Sequence, residues 1–122
     1  MNPYIAQIIV SYAVTFILRQ LEKFNESTDW AKVKADVEPR VRSLVPGSWF
    51  DDEAVAAVSA VVDAVAVAAK NTVGVEEVLS LVAKADWRGA ERALRNLMMT
   101  AVVADKPDLV ACLAGRDEGA AA

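Results

Sequence analysis

Residues 2–18 read NPYIAQIIVSYAVTFIL, and the fold depends on what covers this uncharged stretch. After Asn2, its polar side chains are spaced four apart, at Gln7, Ser11 and Thr15. Asn2 is a favourable N-cap, and Pro3 suits the first helical position because its missing N–H would have no partner there. The apolar pattern continues as far as Phe24, so the sequence predicts a helix over residues 3–24.

Three environments could shield this helix from water: the core of its own chain, a partner protein or a membrane. As a helix, residues 3–18 span about 24 Å, which is shorter than the ~30 Å hydrocarbon core of a bilayer. A longer span over residues 3–21 requires Arg19 to reach toward the lipid headgroups. We therefore rank burial in the chain's own core first, a partner or oligomer interface second, and membrane contact through residues 3–21 third.

Beyond this helix, the apolar residues continue to recur with helical spacing. Residues 29–45 form an amphipathic pattern, and Pro39 inside it predicts a kink or a break. Residues 48–70 combine valine stripes with alanine, and their length favours a helix over a strand. We expect Ser48 and Asp51 to form a capping box at the start of that helix. Further helices are predicted over residues 75–85, 87–104 and 108–114.

Together these segments predict an all-α fold, a compact single-domain bundle of five or six helices. A chain of 122 residues suits one domain with one modest core. No stretch rich in Pro, Gly and Ser divides the chain. We place the helical domain at residues 1–115 and expect residues 116–122, which lack an apolar anchor, to form a flexible tail.

Composition narrows the classes of function. The chain has no His, which removes the commonest general base and the commonest metal ligand. Cys112 is the single cysteine, so an intramolecular disulfide cannot form and no activating histidine is present for its thiol. The neighbouring acids Asp51, Asp52 and Glu53 lack the spacing of a calcium loop and suit a helix N-terminus instead. We expect a non-enzymatic protein with no catalytic residues, no metal and no cofactor.

The first helix also carries the best candidate for a protein contact. Tyr4, Ile8, Tyr12 and Phe16 recur every four residues, so they lie along one face of the predicted helix. We expect this face to bind a protein partner or a second copy of the chain.

A second candidate surface is basic. Lys84, Arg88, Arg92 and Arg95 would line one face if the fourth and fifth predicted helices were joined. One interpretation is contact with an anion or an acidic partner, and the other is an ordinary solvated face. The net charge of −4 favours the solvated face and argues against binding to nucleic acid.

The function that we favour from the sequence is assembly or protein binding through apolar helix surfaces, as a cytoplasmic homo-oligomer or a subunit of a larger complex. Hydrophobic residues make up 55% of the chain, which exceeds the usual globular share. The alternative is a membrane-inserting or membrane-perturbing protein, because two apolar segments, a polar connector and a charged tail resemble the layout of phage holins. Asp63 opposes this alternative, since a carboxylate at a bilayer centre costs about 2.5–3.5 kcal/mol.

Overall fold

The computed structural model describes residues 3–102 and 109–114. All regular structure in these residues is helical, and the fold is a compact all-α bundle, which confirms the predicted class. The predicted N-cap Asn2, the start of the last helix at residue 108 and the tail at residues 116–122 lie outside the described residues. The α-helices in chain order are α1 (Pro3–Gln20), α2 (Trp30–Arg42), α3 (Asp52–Ala68), α4 (Thr72–Ala83) and α5 (Trp87–Val102). Leu21–Lys23 and Gly47–Trp49 form 3₁₀ turns, and residues 109–114 are also helical.

Helix α1 lies at the centre of the bundle and packs against α2, α3 and α5. No residue from 5 to 18 is exposed, and the exposed residues of α1 are Pro3, Tyr4 and Arg19 at its two ends. Burial of apolar side chains is the main favourable term in folding, so α1 organises the core. The chain's own helices therefore bury one side of the uncharged stretch and leave most of the rest of it partly buried. The fully buried side chains of α1 are Ile9, Val10, Ala13, Val14, Ile17 and Leu18.

Helix α2 continues through Pro39, so the break considered from the sequence does not occur. Proline cannot donate the hydrogen bond that would reach the carbonyl of Ala35. Ala35 and Pro39 are both exposed, so water can bond to that carbonyl. The Ser43 N–H donates to the Pro39 carbonyl over 3.0 Å, which closes the last turn.

Helix α3 also contributes to the core and packs against α1, α2 and α5. Its small side chains allow close approach of its neighbours, and Ala54, Ala64 and Val65 are completely buried. Asp63 is exposed and pairs with Lys34 over 2.8 Å, which confirms that its carboxylate faces solvent within the described fold.

Two predicted helix starts are wrong. Ser48 belongs to the 3₁₀ turn rather than to a capping box, and Asp51 caps α3 by accepting from the Ala54 N–H over 3.0 Å. The sequence prediction left residues 71–74 between two helices, but Thr72, Val73 and Gly74 belong to the first turn of α4. Asn71 is the N-cap of α4 and its side chain accepts from the Gly74 N–H over 3.0 Å, so the helix begins at Thr72 rather than at residue 75.

Candidate functional site

Helices α4 and α5 form an antiparallel hairpin joined by a tight turn. Ala85 in this turn has a φ of 59°, in the left-handed region. The Asp86 N–H donates to the Leu81 carbonyl over 3.0 Å, and the Ala85 N–H donates to the Val82 carbonyl over 2.9 Å. This pair of bonds is the Schellman motif, which ends α4 and reverses the chain. Asp86 then caps the start of α5 by accepting from the Gly89 N–H over 2.9 Å.

Helix α4 leaves most of its apolar surface incompletely covered. Its principal contact is with α5, and Val78 is its one fully buried residue. Val73 is 78% exposed, the largest exposed fraction among the large hydrophobic residues described. Leu81 is only partly buried against the core. An apolar helix that packs mainly on one neighbour exposes a surface that a partner can cover.

A groove runs between the two helices and has a volume of about 540 Å³. We call it the hairpin groove. Gly74 permits the close approach of α4 to α5, because a Cβ at this position would lie 2.6 Å from Leu97 Cδ1. The residues that line the hairpin groove are Asn71, Val73, Gly74, Glu77, Leu81, Gly89, Arg92, Ala93, Asn96, Leu97 and Thr100.

The face of α1 predicted to bind a partner is largely used inside the fold. Ile8, Tyr12 and Phe16 are partly buried and pack against the core, whereas Tyr4 is 66% exposed. The Arg40 guanidinium lies 6.0 Å from the centre of the Phe16 ring and covers part of that end of the face. Apart from Tyr4, these side chains are therefore only partly available to a partner.

The basic residues do not form the continuous stripe considered from the sequence. The left-handed turn at Ala85 separates Lys84 from α5, so α4 and α5 are not one helix. Lys84, Arg88 and Arg92 are exposed. Arg95 is only 5% exposed and faces the interior, so its predicted contact with an external anion does not fit its position.

Arg95 holds three parts of the chain together. Its Nη2 donates to Ser11 Oγ of α1 over 3.0 Å, and its Nη1 donates to the carbonyl of Leu113 over 3.0 Å. A longer contact of 3.5 Å joins Nη1 to the Cys112 carbonyl, and Glu91 Oε1 lies 3.7 Å from Nη2. The positive guanidinium suits the carbonyls of helical residues 109–114, because carbonyls carry the negative end of a helix dipole. We assign Arg95 a structural role.

A smaller surface cleft of about 260 Å³ lies beside the start of α5. Trp87, 49% exposed, and Arg88 form one side of the cleft, and Thr15, Leu18 and Arg19 of α1 form the other. Glu91 completes the lining but lies within ion-pair distance of Arg95. The cleft is less apolar than the hairpin groove, so we regard it as the weaker candidate.

Among the described residues, no group of three or more His, Cys, Asp or Glu is placed to hold a metal ion. Within residues 3–102 and 109–114, one segment, Pro3–Lys23, is long and apolar enough to cross a membrane by length and composition, but core helices of soluble proteins pass the same test. Comparisons of the chain with protein-family models, curated proteins and solved structures yield no significant match.

Proposed function

We propose that this chain is a non-enzymatic protein-binding or assembly protein that acts through apolar helix surfaces, with the hairpin groove as its principal binding surface. The observation that carries the proposal is the incomplete cover of α4, whose main contact is α5 and whose Val73 is 78% exposed. Removing apolar surface from water contributes roughly 25 cal/mol per Å². A partner helix on the hairpin groove would therefore gain free energy by covering α4.

The composition of the hairpin groove supports a protein partner. Gly74, Leu81 and Leu97 give it an apolar floor, and Glu77, Arg92 and Asn96 add polar groups at its lining. An apolar centre with a polar rim is the usual anatomy of a protein interface. Helix-in-groove recognition uses the same arrangement, since an amphipathic helix lays its apolar face between two helices.

Site-specific photo-crosslinking tests the proposal. A photo-reactive amino acid replaces Val73 in one variant and Lys32, an exposed residue of α2, in a control variant. We expect protein adducts at position 73, with a second copy or with another protein, and few at position 32. Illumination is carried out both on the purified chain and in extracts of the source cells. Equal labelling at the two positions, or no protein adduct at position 73, would contradict the proposal.

A membrane-perturbing protein is the second candidate, and the observation in its favour is the length and hydropathy of Pro3–Lys23. This function requires α1 to leave its contacts with α2, α3 and α5. Vesicle flotation without detergent separates the two candidates. Recovery of the chain with vesicles, together with release of their contents, would favour the membrane function, whereas recovery in the soluble fraction is expected for the assembly protein.

A further inference from the structure

The rim of the hairpin groove carries opposite charges on its two helices. Glu77 belongs to α4 and Arg92 to α5, and both side chains are exposed. Neither forms an ion pair with another residue in the part of the chain that the structure describes. Both charges are therefore available to a partner that covers the groove.

The two charges lie at nearly the same height along the hairpin. The close approach of Gly74 to Leu97 fixes the alignment of α4 with α5. With a rise of 1.5 Å per residue, Glu77 lies about 4.5 Å beyond Gly74, and Arg92 lies about 7.5 Å before Leu97. The helices are antiparallel, so both displacements run in the same direction. The heights of the two residues differ by about 3 Å, which a flexible arginine side chain can bridge.

We infer that the hairpin groove binds a second copy of this chain about a two-fold axis parallel to α4 and α5; this inference rests on the function proposed above. Such an axis places α4 of each copy over α5 of the other at equal height. Glu77 of each copy then faces Arg92 of the other, and the contact is made twice, as an isologous interface requires. A two-fold axis perpendicular to the helices would instead bring the two Glu77 side chains together, and like charges disfavour that arrangement.

The size of the surface predicts a weak dimer. Helix α4 is about 18 Å long and two adjacent helices are about 20 Å wide, so the flat area of the face is about 360 Å². A standard stable interface buries ~800 Å² on each partner. We therefore expect a monomer–dimer equilibrium that depends on concentration, with Val73 and Leu81 supplying apolar contact and the charge pairs fixing the register.

Charge reversal tests the inference through sedimentation equilibrium over a range of protein concentrations. Glu77→Arg and Arg92→Glu should each weaken the dimer about tenfold or more, because each places two like-charged pairs at the interface. The double variant Glu77→Arg/Arg92→Glu restores both pairs and should recover the wild-type dissociation constant to within about threefold. Glu76→Arg, also on α4 but outside the groove lining, is the matched control and should leave dimerisation unchanged.

Mixing the two single variants provides a further test of the symmetry. One variant then carries arginine at both positions and the other carries glutamate at both, so a mixed dimer has two favourable pairs. We expect the mixture to form a heterodimer with roughly the wild-type affinity, even though each variant alone is largely monomeric. Circular dichroism of each variant checks that the helices remain folded.

The outcomes separate this inference from the proposed function. A wild-type chain that remains monomeric at millimolar concentration, or a dimer that is insensitive to both reversals, would overturn the inference. In either case, crosslinks from position 73 to another protein would still support the proposed function. A dimer that follows the expected charge pattern supports both.

Discussion

At the scale of single residues, Arg95 shows how this small core accommodates a charge. It is the one buried polar or charged residue among those described, and it bonds to Ser11 and to carbonyls at residues 112 and 113. A buried charge is tolerable only when hydrogen bonds and an opposite charge replace water. Glu91, itself mostly buried, provides that charge. The guanidinium therefore links α1, α5 and helical residues 109–114.

Removal of Arg95 should destabilise the fold strongly. We expect Arg95→Ala to lower the free energy of unfolding by about 3 kcal/mol, because Glu91 and the Leu113 carbonyl lose their partner in a largely dry site. Urea denaturation followed by circular dichroism measures the change. Arg88→Ala, an exposed arginine on the same helix, is the control and should change the stability by less than about 0.5 kcal/mol. Equal losses for the two variants would contradict the structural role.

The position of Arg95 could not be predicted from the local sequence. Its spacing from Arg88 and Arg92 suggests a shared solvated face, and helix periodicity alone supports that interpretation. The groups that bury it are distant in the chain: Ser11 is separated from Arg95 by 84 positions and Leu113 by 18. Only the tertiary packing brings these acceptors together, so helix periodicity alone could not predict that Arg95 is buried.

At the scale of secondary-structure elements, the ends of the helices depend on a few side chains and backbone angles. The apolar pattern was sufficient to predict α1, α2 and α5, whose stripes are long. Prediction failed at the start of α4, where Asn71 and Gly74 resemble a loop but form a cap and a first turn. Asn and Gly occur both in loops and at the starts of helices. Which of the two structures forms at residues 71–74 depends on whether α4 can pack against Leu97.

The turn between α4 and α5 is a place where one substitution should stabilise the protein. Ala85 occupies a left-handed conformation that costs a non-glycine residue roughly 1–2 kcal/mol. Ala85→Gly relieves this cost but raises the conformational entropy of the unfolded chain, which offsets part of the gain, so we expect a net stabilisation of about 0.5–1 kcal/mol. Thermal or urea unfolding measures it.

A matched substitution controls for the general effect of glycine. Ala56 is exposed within α3, where the backbone is helical. Ala56→Gly should therefore destabilise the protein by about 1 kcal/mol, the opposite sign to the change at position 85. Destabilisation by both glycines would show that the left-handed conformation at Ala85 is not maintained in solution.

At the scale of the whole molecule, the cover on each helix decides which surface is available for function. From the sequence, α1 had the greatest need for a partner, because its stretch is uncharged on every side. In the folded chain, α2, α3 and α5 surround it, while the shorter α4 remains on the outside. The helix whose apolar surface is least covered is therefore α4, which packs mainly on α5, rather than the uncharged α1. Residue patterns could not show this, because it depends on how all the helices pack together.

Hydrogen exchange can measure this difference in cover directly. Amides inside α1 should exchange only through global unfolding, because Ile9, Ala13 and Ile17 are completely buried among three helices. Amides of α4 should open with a free energy at least about 1 kcal/mol lower, since α4 can separate from α5 alone. Raising the protein concentration should slow exchange in α4, α5 and α1, because the inferred dimer stabilises the folded chain against both local opening of the hairpin and global unfolding. Protection of α1 that appears only when lipid vesicles are added would contradict this account and favour a membrane-inserting protein.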